Sequence, residues 1–141
     1  MSNLKTDVLI IGAGPAGLYA AYYAGYRGMS VAVMDSLDEV GGQISAMYPE
    51  KLIFDVAGHP GVKGRDLVNN LAKQAGAFSP TYLLGQQAEE LIENSDSVQI
   101  KSHLGEQVEA KAVIITGGIG TFKPRQLPAG EEFLSRGLVY F

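Results

Sequence analysis

Residues 6–35, TDVLIIGAGPAGLYAAYYAGYRGMSVAVMD, read without interruption as strand, glycine turn, helix and strand. Val8, Leu9, Ile10 and Ile11 form the continuous apolar run expected of a parallel strand buried on both faces, and the run stops at Gly12. Gly12, Gly14 and Gly17 fit G-x-G-x-x-G. In that pattern the first glycine allows a tight turn and the second lets backbone approach a pyrophosphate. The third lets the helix pack closely on the strand. Pro15 stands where a first helical turn tolerates a missing N–H, so the remaining free donors and the positive dipole end face the phosphates.

The context outside the triplet gives it weight. A small residue, Ala21, and a helix-terminating Gly28 follow at suitable offsets. A second apolar strand, 31–34, ends in Asp35, 18 positions after Gly17, where about 20 are expected. A carboxylate there accepts hydrogen bonds from ribose hydroxyls and repels a 2′-phosphate. No Arg occurs in residues 36–40, so the site suits FAD or NAD rather than NADP. Tyr19, Tyr22, Tyr23 and Tyr26 recur at spacings of three and four, and the stripe reads as a packing face of the helix.

Residues 36–62 are long, rich in Gly and Pro and without a clear helical period. Long irregular segments of compact domains are usually functional. Gly41 and Gly42 allow close approach of backbone to a ligand, and Gln43 offers both donor and acceptor. Tyr48 precedes Pro49, which favours an extended backbone that could present the ring for stacking. Asp55 reads as a turn residue, and His59 lacks the neighbours a metal site needs.

Further on, 64–76 has apolar residues at helical spacing, with Gly76 as its C-terminal cap. Residues 81–84 read as a short strand. The stretch after them alternates around Asn94-Ser95-Asp96 and Leu104-Gly105-Glu106 as a three-stranded antiparallel meander. Residues 113–115 return to a continuous apolar strand that ends in Thr116-Gly117-Gly118. Ligands of open α/β sheets bind beyond the carboxyl ends of the strands, which places these glycines at the same crevice as Gly12 and Gly14.

The 141 residues suit one domain or part of one, and 46% hydrophobic content is enough for a core. A net charge of −4 without long runs of either sign speaks against nucleic acid and against electrostatic membrane attachment. With no cysteine, a disulfide framework, a thiolate metal site and a dithiol redox centre are excluded within these residues. A reducing cytoplasm fits that composition. No apolar stretch reaches membrane-spanning length.

The sequence order is a glycine-loop βαβ, an acid ending the second strand, GGQ, a helix, a meander and a T-G-G turn followed by Pro124. It resembles the FAD domain of the two-dinucleotide-binding flavoprotein disulfide reductases. Gln43-Ile44-Ser45-Ala46 stands where the glutathione reductase type has its two cysteines, which rejects that subclass. The strings DSLDEVGGQISAMYPEKLIFDVAGHPGVKG, LLGQQAEEL and ITGGIGTFKPR resemble bacterial ferredoxin NADP reductases of the thioredoxin-reductase-like type. The resemblance spans essentially the whole chain. It implies an α/β, three-layer ββα Rossmann-like fold, with a parallel sheet and an antiparallel three-stranded meander. It implies FAD as cofactor, with Asp35 on the adenosine ribose, Gln43 and the backbone of Ala88 in contact with FAD, Tyr48 stacked on the isoalloxazine and Phe122 near it. Gly12, Gly14, Gly17 and Gly42 complete the expected cofactor site, which has no metal. Such enzymes pass a hydride from NADPH through FAD, as single electrons, to ferredoxin. Family members continue into an NADPH-binding domain and then return to finish the FAD domain. With one G-x-G-x-x-G, residues 1–141 are expected to be the first FAD-domain segment, with apolar surface left for a homo-oligomer. The alternatives are a stand-alone nucleotide-binding module without turnover and the flavin domain of a thioredoxin reductase.

Overall fold

The computed structural model describes residues 3–120 and 127–139. Among them a six-stranded sheet has the order β5-β2-β1-β8-β7-β6. Its elements are β1 (Asn3–Ile11), β2 (Val31–Met34), β5 (Thr81–Leu83), β6 (Ala88–Glu93), β7 (Val98–Ser102) and β8 (Gln107–Ile115). β5, β2, β1 and β8 run parallel, whereas β7 pairs antiparallel with both β8 and β6. The meander and the apolar strand 113–115 therefore share one element. β8 pairs through Val108 and Ala110 with β7 and through Val113 and Ile115 with β1. The alternating and continuous apolar patterns of the sequence are two halves of this strand, which has neighbours on both sides along part of its length.

Burial explains the layers. Val8, Ile10, Val31 and Val33 pack with Ala21 and Ala24 of α1 (Pro15–Tyr26) and Ala75 of α3 (Gly64–Gly76). Leu9, Ala32 and Met34 pack instead with Ile100, Val108 and Ala110 of the meander. β1 and β2 thus lie between helices and meander and are covered on both faces, as their unbroken apolar sequence requires, whereas Ile114 and Ile115 at the end of β8 are exposed. A third cluster of Ile44, Leu67 and Val68 joins α3 to α2 (Gln43–Met47).

Several details differ from the sequence expectation. The region after Gly42 contains α2 and a small antiparallel pair, β3 (Leu52–Ile53) with β4 (Val62–Lys63). These elements are too short to show a period. The tyrosine stripe of α1 is not its packing face: Tyr19, Tyr23 and Tyr26 are 53%, 52% and 63% exposed, and the buried face is Gly17, Leu18, Ala21, Ala24 and Gly25. The helix approaches too closely for large side chains, and a Cβ on Gly25 would run into the ring base of Phe78. The tyrosines stack on one another, and Tyr22 and Tyr26 also meet Phe78. Gly28 ends α1 as expected, at φ +77° with its N–H donating to Gly25 O. Gly76 is the last helical residue of α3 rather than its left-handed cap, and Ser79 takes the positive φ a few residues later.

At the edge of the sheet opposite the glycine loop, Asp7 accepts hydrogen bonds from the Ser30 N–H and hydroxyl and from Lys111 Nζ, which joins β1, β2 and β8. The Lys111 and Ser30 donors hold the Asp7 carboxyl well below its ordinary value, and Asp7 raises Lys111. A depressed carboxylate contributes stability above its unfolded pKa and loses it as pH falls through the folded value. A raised lysine contributes below its unfolded pKa and loses it as pH rises through the folded one. Asp7→Asn is therefore expected to lower the melting temperature between about pH 5 and 9. The gap from wild type should shrink progressively below the ordinary aspartate value of 3.8. Melting curves across that range check this, and a gap that does not narrow in acid removes the carboxylate from the clasp.

Candidate functional site

The carboxyl ends of β1, β2, β5 and β8 lie at one edge of the sheet, and the segments that leave them line a cleft of about 560 Å³. That volume lies within the range of about 300–1,000 Å³ usual for small-molecule and cofactor sites. Gly12, Gly14, Asp35, Gly42, Gln43 and Ala88 all line it. Gly17 and Tyr48 are placed differently. Gly17 sits behind the loop against Gly12 O. The Tyr48 ring packs beside the Ile44–Leu67–Val68 cluster, with Lys51 Nζ 5.4 Å from its centroid. Phe122 lies outside the described residues.

The glycine loop is built by close backbone contacts. Gly12, at φ +106°, donates its N–H to Met34 O at 2.8 Å. A Cβ there would collide with the Thr116 carbonyl. Thr116 in turn donates its N–H to Ile11 O at 2.7 Å, and its hydroxyl lies 3.0 Å from Ile11 O and 2.9 Å from Gly12 O. The Thr-Gly-Gly turn after β8 is thus bolted to the loop after β1. Gly14 and Gly42 meet backbone to backbone: a Cβ on Gly42 would stand 3.1 Å from Gly14 Cα. No side chain caps the start of α1, and Pro15 occupies its first turn. The N-terminal donors of that turn therefore remain available at the cleft, an arrangement suited to anionic oxygens.

Asp35 has a structural role that sequence reasoning did not find. Its Oδ2 accepts from Ala13 N at 2.5 Å and its Oδ1 from Leu37 N at 2.8 Å, so one carboxylate ties the glycine loop to the turn after β2. Each oxygen keeps a further lone pair, so the carboxylate can still accept from a ligand hydroxyl. Gly41 N donates to Ala13 O at 2.8 Å and fastens the GGQ segment to the same loop. Gln86 and Gln87 also line the cleft, as do Ser36 and Leu37. None of the four has a local signature: Ser36 and Leu37 come in with the turn after Asp35, and Gln86 and Gln87 are held there by backbone bonds to Asp35 and His103. Among the described residues no group of three or more His, Cys, Asp or Glu could hold a metal. No described helix is long and apolar enough to cross a membrane.

The residues present fit a dinucleotide: uncapped helix donors for a diphosphate, a carboxylate for ribose hydroxyls, and glycine backbone where side chains would fill the space. Comparison with known proteins agrees. Residues 6–139 match the family model described as pyridine nucleotide-disulphide oxidoreductase. A ferredoxin–NADP reductase of Frankia casuarinae is 65% identical over 134 residues, which are 95% of this chain and 42% of that protein. One of Thermus thermophilus is 50% identical over 142 aligned residues, covering 99% of this chain and 42% of the relative. The chain thus spans less than half the length of these curated relatives. Among solved structures, a thioredoxin reductase from Streptococcus pyogenes superposes with TM-score 0.72 at 31% identity, covering 94% of this chain and 40% of that one. The T. acidophilum thioredoxin reductase gives 0.74 at 28% identity, covering 94% and 41%.

Proposed function

Because the chain belongs to the pyridine nucleotide-disulphide oxidoreductase family, whose members bind FAD, we propose that it is the first FAD-domain segment of a ferredoxin–NADP reductase. The observation that carries this reading is the cleft at the strand ends, which both the uncapped start of α1 and Asp35 line. When bound, FAD would supply the chemistry of accepting a hydride and releasing single electrons. In this reading NADPH is the donor and a ferredoxin-like protein the acceptor. Identity of 65% and 50% to proteins named ferredoxin–NADP reductase favours this over a thioredoxin reductase. The complete reductase would work in the cytoplasm, where NADPH is held.

The protein's own residues bind and orient. The first turn of α1 faces the diphosphate, and Gly12 and Gly14 keep the loop low enough for it to approach. Asp35 accepts from the ribose hydroxyls. Gln43 and the backbone of Ala88 would contact the cofactor, and the Tyr48 ring would stack on the isoalloxazine, as the family resemblance implies. Phe122 is assigned near the flavin from the family resemblance.

Purified protein equilibrated with FAD and passed through a desalting column is expected to retain flavin absorption bands. A colourless protein would overturn the flavin assignment. Bound FAD should be weakly fluorescent, with emission rising on Tyr48→Ala and unchanged on Tyr23→Ala, whose ring lies on the exposed face of α1. Equal emission from the two variants at matched occupancy removes Tyr48 from the flavin.

A further inference from the structure

Ser102 is the one buried polar side chain among the described residues, 2% exposed at the end of β7. Its Oγ accepts from Glu106 N at 3.1 Å and donates to Gln86 Oε1 at 2.6 Å. A buried hydroxyl proton needs an acceptor, and Gln86 Oε1 supplies it. That contact fixes which way the Gln86 amide is turned. Its oxygen faces Ser102, so its Nε2 carries the two donors on the other side. No buried side-chain nitrogen or oxygen of the described residues lacks a partner, and Nε2 has none among them, so Nε2 is open to solvent. Gln86 lines the cleft and donates its backbone N–H to Asp35 O at 2.8 Å.

We propose that Gln86 is a specificity-determining residue that donates from Nε2 to an acceptor on the adenosine half of the ligand, and that Ser102 is the positioning residue that aims it. The inference rests on the flavin reading above, which puts the ribose at Asp35. The chemistry of the two neighbours is complementary. Asp35 can only accept, and it takes the ribose hydroxyls. The adenosine half also presents acceptors, its ring nitrogens and ribose ring oxygen, which Asp35 cannot serve and the Gln86 amide can. A free amide would spend its time among several rotamers. The bond to a buried hydroxyl holds this one with its donors forward, so less ordering is needed on binding.

Titration calorimetry with FAD and with ADP, on wild type and on Gln86→Met, Ser102→Ala and the double variant, tests this. Met keeps the length of the side chain and removes both polar ends without adding charge. Gln86→Met is expected to weaken FAD and ADP by the same factor, about tenfold, as for one lost hydrogen bond. Ser102→Ala should weaken both by a smaller factor, and should weaken neither when placed on Gln86→Met, because the residue it aims is gone. A purely structural Ser102 would instead cost the same in both backgrounds. Gln86→Glu, which retains the acceptor for Ser102 and loses the donors, serves if Gln86→Met does not fold. Unchanged affinity for wild-type-like FAD binding in both Gln86 variants overturns the proposal and leaves the flavin reading standing. Weakened FAD with unchanged ADP overturns it as well, by placing Gln86 on another part of the ligand. Wild type that binds neither FAD nor ADP overturns both readings.

Discussion

Replacing Gly17 by alanine is expected to cost about 3 kcal/mol of stability and to abolish FAD retention, although the new methyl group never touches the ligand. A Cβ at Gly17 would fall inside the contact radius of the Gly12 carbonyl oxygen, 2.8 Å from Thr116 Oγ1 and 3.0 Å from Gly12 C. None of these atoms can yield cheaply. Gly12 is held by its N–H bond to Met34 O and Thr116 by its bonds to Ile11 and Gly12. The helix must therefore lift from the strand, and its N-terminal donors move away from the loop. Chemical denaturation gives the stability and FAD titration the binding. Gly76→Ala is the control: a Cβ there meets nothing within 4 Å, on a helical backbone. It should be neutral or stabilising by up to about 1 kcal/mol. Stability of Gly17→Ala within about 0.5 kcal/mol of wild type would show that helix and loop are not in this contact.

Asp35→Ala should produce two separable losses. FAD affinity is expected to fall by about 1–3 kcal/mol as ribose hydroxyls lose a charged acceptor. Unliganded protein should also lose about 1.5–3 kcal/mol, because Ala13 N–H and Leu37 N–H lose the carboxylate that both donate to. Calorimetry reads the first and denaturation without FAD the second. Unchanged affinity would withdraw Asp35 from the ribose, and unchanged stability would withdraw it from the loop. Asp35→Asn should lie between, since its amide retains one acceptor for two backbone donors.

The βαβ unit was legible in the sequence because its determinants are local and steric. A glycine required within a few residues of another announces itself in any sequence that has the pattern. Asp35 was legible as an acid at a strand end, but its bond to Ala13 joins residues 22 apart and follows from the turn's geometry. Gln86 and Ser102 were illegible for the same reason at greater reach, since 16 residues and the register of the meander bring them together. The tyrosines of α1 misled because periodicity finds large residues, and this helix buries small ones. The double role of β8 was hidden because its first half, paired with both β1 and β7, and its second half, paired with β1 alone, carry different patterns.

That shared strand has a consequence for biosynthesis. β1 finds β2 early, with Val8 pairing with Val31, but its other edge waits for β8, where Asp7 and Lys111 are 104 residues apart. Closing the longer loop costs only about 1.3 kcal/mol more in chain entropy than closing the shorter one. The larger handicap is delay. At about 5–20 residues per second, a ribosome leaves one side of β1 unpaired for about 5–20 s after it emerges. During that interval the strand that will become the centre of the sheet is an open edge, accessible to any other strand nearby. Crowded polysomes, where neighbouring nascent chains expose the same edge at once, are where this connectivity is most vulnerable to mispairing.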